Sequence, residues 1–229
     1  MPDTLSQLLL NAAVPLLLTL KVALTATTGA CIVGIGAGYA LSRRNMPGRE
    51  VLDALCTLPL VLPPTVIGYY LLVVFGRRGL VGQWLLEKFD ITLVFTWQGA
   101  ALAASVVAFP LVCKAARTAF EGVDEGLENA ARTLGAGEGR VFMRVSLPLA
   151  WRGIVSGTML ALARAMGEFG ATLMLAGNLP GRTQTLSLAV YEAVQAGNDD
   201  QATFLVILTS LVCMTLLLAS GRLLSRRPT

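Results

Sequence analysis

Five stretches of the chain, approximately residues 16–41, 51–75, 92–116, 154–177 and 203–224, are apolar along nearly their whole length. Each can cross a hydrocarbon core of about 30 Å as a helix rising about 1.5 Å per residue. In hydrocarbon every backbone N–H and C=O needs a partner inside the protein, which a helix supplies from its own turn. Five such runs confine the chain to an all-α integral membrane fold. Of 229 residues only 14% are charged, against about 25% in soluble domains. No internal repeat, low-complexity tract or soluble domain is left over, so the expectation is one transmembrane domain over residues 1–229 with about five transmembrane helices.

An odd number of spans puts the termini on opposite sides. Arg43, Arg44 and Arg49 follow the first span; Lys114, Arg117, Arg132, Arg140, Arg144 and Arg152 surround the loop between the third and fourth; Arg222, Arg226 and Arg227 close the chain. The opposite side carries Arg77, Arg78, Lys88 and Arg182. Twelve cations against four place the central loop and the C-terminus in the cytoplasm and the N-terminus outside. The net charge of +4 is thereby a matter of topology, and no nucleic-acid partner is expected. The opening MPDTLSQLLLNAAVP lacks the basic region of a cleavable signal peptide and is expected to remain in the mature protein. Residues 4–13, with Leu5, Leu8, Leu9 and Ala12 at helical spacing, form either a short interfacial helix or an extension of the first span.

The chain has no histidine, which removes the commonest general base and a frequent metal ligand. Cys31, Cys56, Cys113 and Cys213 stand singly in apolar stretches and read as small hydrophobes, not as metal ligands. No paired-acid or nucleophile constellation is present, and no GxxxxGK[ST] phosphate loop. The chain is therefore expected to be neither an enzyme nor a nucleotide binder. A secondary transporter working without ATP needs coupling carboxylates inside its spans, where only Glu168 is available.

Several residues interrupt the spans. Pro59, Pro63 and Pro64, with Thr65 following, break the helical register of the second; the result is either a plain kink or a face turned to a partner or pathway. Arg164 and Glu168 lie at i and i+4 in the fourth, where an ionisable group costs about 2.5–3.5 kcal/mol to insert. Lys21 is expected to snorkel to the outer interface. Gly29, Gly34, Gly36, Gly38, Gly167 and Gly170 read as sites of close helix packing. Outside, Leu186, Val190, Ala193 and Val194 mark a short amphipathic helix whose surface suits a soluble partner.

The loop over residues 121–149 contains ENAARTLGAGEGRVFMRVSLPLA, a polar island in this chain. Leu127, Ala130, Ala131 and Leu134 recur at i, i+3, i+4 and i+7 as one apolar stripe, with Glu125, Glu128, Asn129 and Arg132 on the other side. The Glu128–Arg132 pair contributes about 0.2–0.5 kcal/mol, too little to hold a lone helix. Gly135 and Gly137 are expected to end it, and Val141, Phe142 and Val145 form a second apolar set. Four apolar side chains make no core, so the stripe must rest on the ends of the chain's own spans or in a groove of another protein.

NAARTLG, nine further residues and VSLP resemble the cytoplasmic signature of ABC importer permeases: Glu-Ala-Ala, three residues, Gly, nine residues, Ile-x-Leu-Pro. Ala130, Ala131, Gly135, Leu147 and Pro148 match; Asn129 stands where glutamate is common, and Val145 replaces isoleucine. LPLVLPPTVIGYYLLVVFGRRG, FEGVDEGLENAARTLG and ALARAMGEFGATLMLAGNLPGRTQTLSLAVY extend the resemblance to the molybdate-type permeases over nearly the whole chain. The sulfate and thiosulfate permeases share GEFGA and the Leu-Pro kink; tungstate is the other substrate alternative.

This resemblance implies a type I ABC importer permease fold with a cytoplasmic coupling-helix loop, in the bacterial inner membrane. It implies a homodimer, two cytoplasmic ABC ATPase subunits that hold ATP and Mg, a periplasmic molybdate-binding protein, and no cofactor on this chain. Glu128, Asn129, Ala130, Ala131, Arg132, Gly135, Leu147 and Pro148 become the expected ATPase-coupling residues. Asn129 keeps hydrogen-bonding capacity without charge, and Glu128 offers a charge in a different direction. Arg164, Glu168, Pro63, Pro64 and Thr65 become pathway or gate candidates: Arg164 and Glu168 either satisfy each other and fix packing, or help an oxyanion past and restrain it.

Overall fold

The computed structural model describes residues 2–43 and 47–225; Arg44, Arg226 and Arg227 lie outside the described residues. Among those described, the regular structure is helical: α1 (Pro2–Ser42), α2 (Arg49–Val61), α3 (Pro64–Phe75), α4 (Leu80–Phe89), α5 (Trp97–Glu121), α6 (Glu125–Thr133), α7 (Glu138–Val141), a π-helical turn (Phe142–Ser146), α8 (Leu147–Met166), α9 (Gly170–Ala176), α10 (Leu186–Gln195) and α11 (Asp199–Ser225). Four stretches among the described residues are long and apolar enough to cross a membrane, namely Ser6–Ser42, Trp97–Glu121, Glu138–Met166 and Asp199–Ala219; α2 and α3 add a fifth only if the bent pair is taken as one broken span and not as a re-entrant loop.

The centre of the fold is α5, whose Ala100, Ala103, Ala104, Ala108, Val112 and Ala116 are fully enclosed. Small residues let α1 approach it closely. A Cβ at Gly34 would lie 3.0 Å from the Val112 Cβ, and one at Gly38 would lie 2.7 Å from the Ala116 Cβ. Gly29 faces Ser105 in the same crossing, whereas Gly36 faces open space and a Cβ at Gly167 would come no nearer than 3.9 Å to its own helix's carbonyls. The packing expectation thus holds for Gly29, Gly34, Gly38 and Gly170 and not for Gly36 or Gly167.

Residues 4–13 are not a separate helix; they continue α1 through Pro15. One proline removes one hydrogen bond, and the extension has a packed face, with Ala12 against Leu186, Ala189, Ala193 and Leu205. Thr19 joins the two elements: its hydroxyl donates to the Pro15 carbonyl at 2.7 Å and accepts the Leu186 N–H, the first of α10, at 2.8 Å. The amphipathic helix expected around Leu186 is α10, although Val194 points outward. Lys21 has its Nζ 3.7 Å from the centroid of the Trp97 ring, a cation–π contact in place of a bare interfacial ammonium.

The expected single span over residues 51–75 is corrected to two helices bent by 110°. Leu62 precedes a proline and is forced extended (φ −68°, ψ 141°), and Pro63 and Pro64 offer no N–H to continue the ladder. With 13 and 12 residues, neither half crosses about 30 Å alone. The expected span over 154–177 is also corrected: the helical run begins at Glu138, ends at Met166 and breaks before α9.

Candidate functional site

The polar loop between α5 and α8 folds into α6, a tight turn and α7. Asp124 starts α6 by accepting the Gly126 N–H on Oδ1 at 2.7 Å. Gly135 stops it at φ +82°, with Gly135 N–H donating to the Arg132 carbonyl and Ala136 N–H to the Ala131 carbonyl, both at 3.0 Å. That pair of bonds is a Schellman motif, which needs a left-handed residue at this position. Gly137 does not end α6; it is extended and opens α7. Leu147 and Pro148 begin α8 directly after the π-helical turn, inside the helical run that starts at Glu138.

The two faces of α6 lie the opposite way from a core-facing helix. Leu127 is 51% and Leu134 88% exposed, and Ala130 is also exposed. Glu128, from the polar side, is 3% exposed. The chain's own spans therefore leave Leu127, Ala130 and Leu134 uncovered, with Ala131 half-buried, so they are not the resting place of most of the stripe.

Glu128 is held from three directions. Arg43 donates from Nη1 to Oε2 at 2.6 Å and from Nη2 to Oε1 at 3.0 Å. The buried Ser146 hydroxyl donates to Oε1 at 2.6 Å, and Arg132 reaches Oε2 from Nη2 at 3.3 Å. Burial opposes the charge, but the Arg43 fork outweighs it and holds the Glu128 carboxyl down at about 2 instead of 4.5. Because the folded value is the lower one, this stabilisation is present above about 4.5 and is lost only as pH falls toward about 2. The expected Glu128–Arg132 pair exists, but the shorter bond of Arg132 is to Glu138, Nε to Oε1 at 2.7 Å. Arg132 also donates to Oδ1 of the exposed Asn129 at 2.8 Å.

Arg43, Ser146 and Tyr39 went unassigned to this site by the sequence. Arg43 lies over the Tyr39 ring at 4.4 Å, and Tyr39 meets Phe142 at 4.6 Å and Phe120 at 5.1 Å between ring centroids. Arg43 and Glu128 are 85 residues apart, a separation at which periodicity carries no signal.

The pathway candidates meet at two helix breaks. Arg164, in the last turn of α8, donates from Nη1 to Glu168 Oε2 at 2.8 Å. Glu168 is 2% exposed and accepts the Ala171 N–H on Oε1 at 2.9 Å, so one carboxylate spans the gap from α8 to α9. A Cβ on Gly170 would lie 3.1 Å from the Pro64 Cβ and 3.4 Å from the Thr65 nitrogen. The start of α9 thus abuts the start of α3, where Pro63 turns the broken span. Arg164 keeps 34% of its side-chain surface uncovered by this chain while Glu168 is enclosed, and the two form an ion pair.

Residues 30–229 match the family described as the binding-protein-dependent transport system inner membrane component. The chain is 49% identical over 205 residues to the molybdenum transport system permease protein ModB of Escherichia coli (strain K12), covering 89% of this chain and 90% of that one. With the sulfate transport system permease protein CysT of the same organism it shares 34% over 195 residues, 85% of this chain and 70% of that one. In fold it resembles a chain of the MetNI methionine ABC transporter in inward-facing form, with a TM-score of 0.74 at 19% identity over 98% of both chains. A chain that is all-helical among its described residues, and whose residues 30–229 match this family, is a transport subunit and not an enzyme: it belongs to the binding-protein-dependent transport system inner membrane components.

Proposed function

We propose that this chain is the membrane-spanning subunit of an ATP-driven molybdate importer. In this reading it works as a homodimer with two ATPase subunits in the cytoplasm and a molybdate-binding protein outside, its N-terminus external and its C-terminus cytoplasmic. ATP and Mg are bound by the partner. Likeness to molybdenum permeases above sulfate permeases supports the substrate. The single observation that carries the ATP-driven reading is the outward apolar stripe of α6, with Leu134, at the end of that helix, 88% exposed.

ATP closes the ATPase subunits, α6 moves with them, and the α8 helix beginning at Leu147 and Pro148 tilts, opening the dimer interface outward. Nucleotide shifts such an equilibrium only through contacts that differ between the two states, so the docked face of α6 is where that difference is exerted. A glutamate at Leu134 places a charge in the docking face. Leu134→Glu is expected to weaken ATPase binding by about 2 kcal/mol or more, roughly 30-fold, read as loss of co-purification.

The function is tested by isotopic molybdate uptake in bacterial cells that lack their own molybdate permease and express this chain with its ATPase and binding protein. Uptake that excess sulfate does not suppress is expected; uptake of sulfate in preference to molybdate overturns the substrate. In the pathway, Arg164 offers the developing passage one cation while Glu168 limits its attraction. Arg164→Gln is expected to lower uptake about tenfold with the complex still assembled, an effect of about 1.4 kcal/mol. Full uptake by that variant assigns the pair to packing alone.

A further inference from the structure

The link between α6 and α8 is weak along the backbone: residues 134–137 include Gly135 and Gly137, and α6 joins α5 through another short turn. A helix pulled at its outer face through such connections would pivot, unless side chains fix it to the spans. Glu128 supplies that fixation. Its carboxylate faces inward and is shared among Arg43, which directly follows the last residue of α1, and Ser146, the last residue of the π-helical turn that leads into α8. The two-pronged Arg43 contact resists rotation as well as separation, being two parallel charge-assisted bonds. Behind it, Tyr39 of α1 packs edge-on against Phe142 of the π-helical turn and Phe120 of α5.

We propose that Glu128 and Arg43 are positioning residues that make α6, the end of α1 and the start of α8 move as one body, so that ATPase motion is delivered to the first span as well as the fourth. This rests on the reading that the stripe of α6 docks on the ATPase, and it gives Glu128 an internal role in place of a contact with that partner.

The test uses the complete complex in proteoliposomes and reads isotopic molybdate accumulated per ATP hydrolysed, for Glu128→Gln, Arg43→Met, the double variant and Arg43→Lys. The ATPase is expected to remain bound and to keep hydrolysing ATP, while uptake per ATP falls about tenfold in each of the first two, within the usual range of coupling energies. The double variant is expected to be no worse than the poorer single one, because both substitutions act on the same Arg43–Glu128 contact. Arg43→Lys keeps the charge without the fork and is expected to fall in between. An unchanged ratio in the single variants, additive losses in the double one, or hydrolysis and uptake falling in step would overturn the proposal. If Glu128→Gln does not accumulate, the two Arg43 variants decide by the same ratio. Failure of the docking reading is distinguishable, since it appears as an ATPase that stays bound to Leu134→Glu.

Discussion

Valine in place of Gly135 is expected to abolish molybdate uptake while the chain still reaches the membrane. Nothing lies within 4 Å of where a Cβ would stand, so the effect has no steric component from neighbours. It comes from the backbone: φ is +82°, and an L-residue in the left-handed region costs about 1–2 kcal/mol, with β-branched residues the least tolerant. Valine relieves that strain by abandoning the two bonds of the Schellman turn, from Gly135 and Ala136 to the carbonyls of Arg132 and Ala131. Leu134 is then re-aimed and α6 loses its fixed relation to α7. Because the turn lies outside the spans, their packing survives. Gly135→Asn, whose side chain tolerates the left-handed region, is expected to retain most uptake. Immunoblotting of membranes beside isotopic uptake separates loss of transport from loss of protein.

Leucine in place of Gly157 is expected to do the reverse, removing the folded protein itself. Gly157 of α8 crosses α5 so closely that an added Cβ would overlap the Ala115 side chain and come within 3.3 Å of the Leu111 carbonyl. A Cβ at Gly153, one turn earlier, would lie 2.7 Å from the Ala119 Cβ in the same seam. Adding a single methylene to a packed interior costs about 1–3 kcal/mol, and leucine adds four carbons where even the first has no room. The helices must separate along a seam that holds the fourth span against the centre of the fold. Loss of the monodisperse complex in detergent size-exclusion chromatography is the expected reading; a variant that accumulates and transports normally would mean that α5 and α8 do not cross at this distance.

Part of this architecture is plain in the sequence and part is not, for physical reasons. Apolar runs of about 20 residues announce their solvent, so the spans appear, but their ends do not: the fourth, expected over 154–177, runs over Glu138–Met166. Prolines announce a break but not its size: Pro63 and Pro64 mark where α2 ends, while the 110° bend is set by what α3 packs against, including Ala171 and Met174 of α9 beside Gly68. The break after Met166 had a weaker signal, since Gly167 and Gly170 also suit a continuous packed helix. The face of α6 that turns outward is left open by periodicity for a different reason. A hydrophobic stripe says which side avoids water, not which molecule covers it, so Leu127 and Leu134 face outward and Glu128 is enclosed. Arg43 registered only as a topological cation, because a 3.6-residue period cannot relate it to a carboxylate in another segment.

The central claim is that the outward face of α6 lies in the cytoplasm and is covered by an ATPase subunit. Labelling of a Leu134→Cys variant, in a background without the four native cysteines, with a membrane-impermeant maleimide tests both parts at once. Labelling is expected in inside-out vesicles and not in intact cells, and bound ATPase is expected to slow it about tenfold or more, since a site closed by an interface reacts only when that interface opens. Labelling from the outside of intact cells, or an unchanged rate with the ATPase bound, would contradict the account.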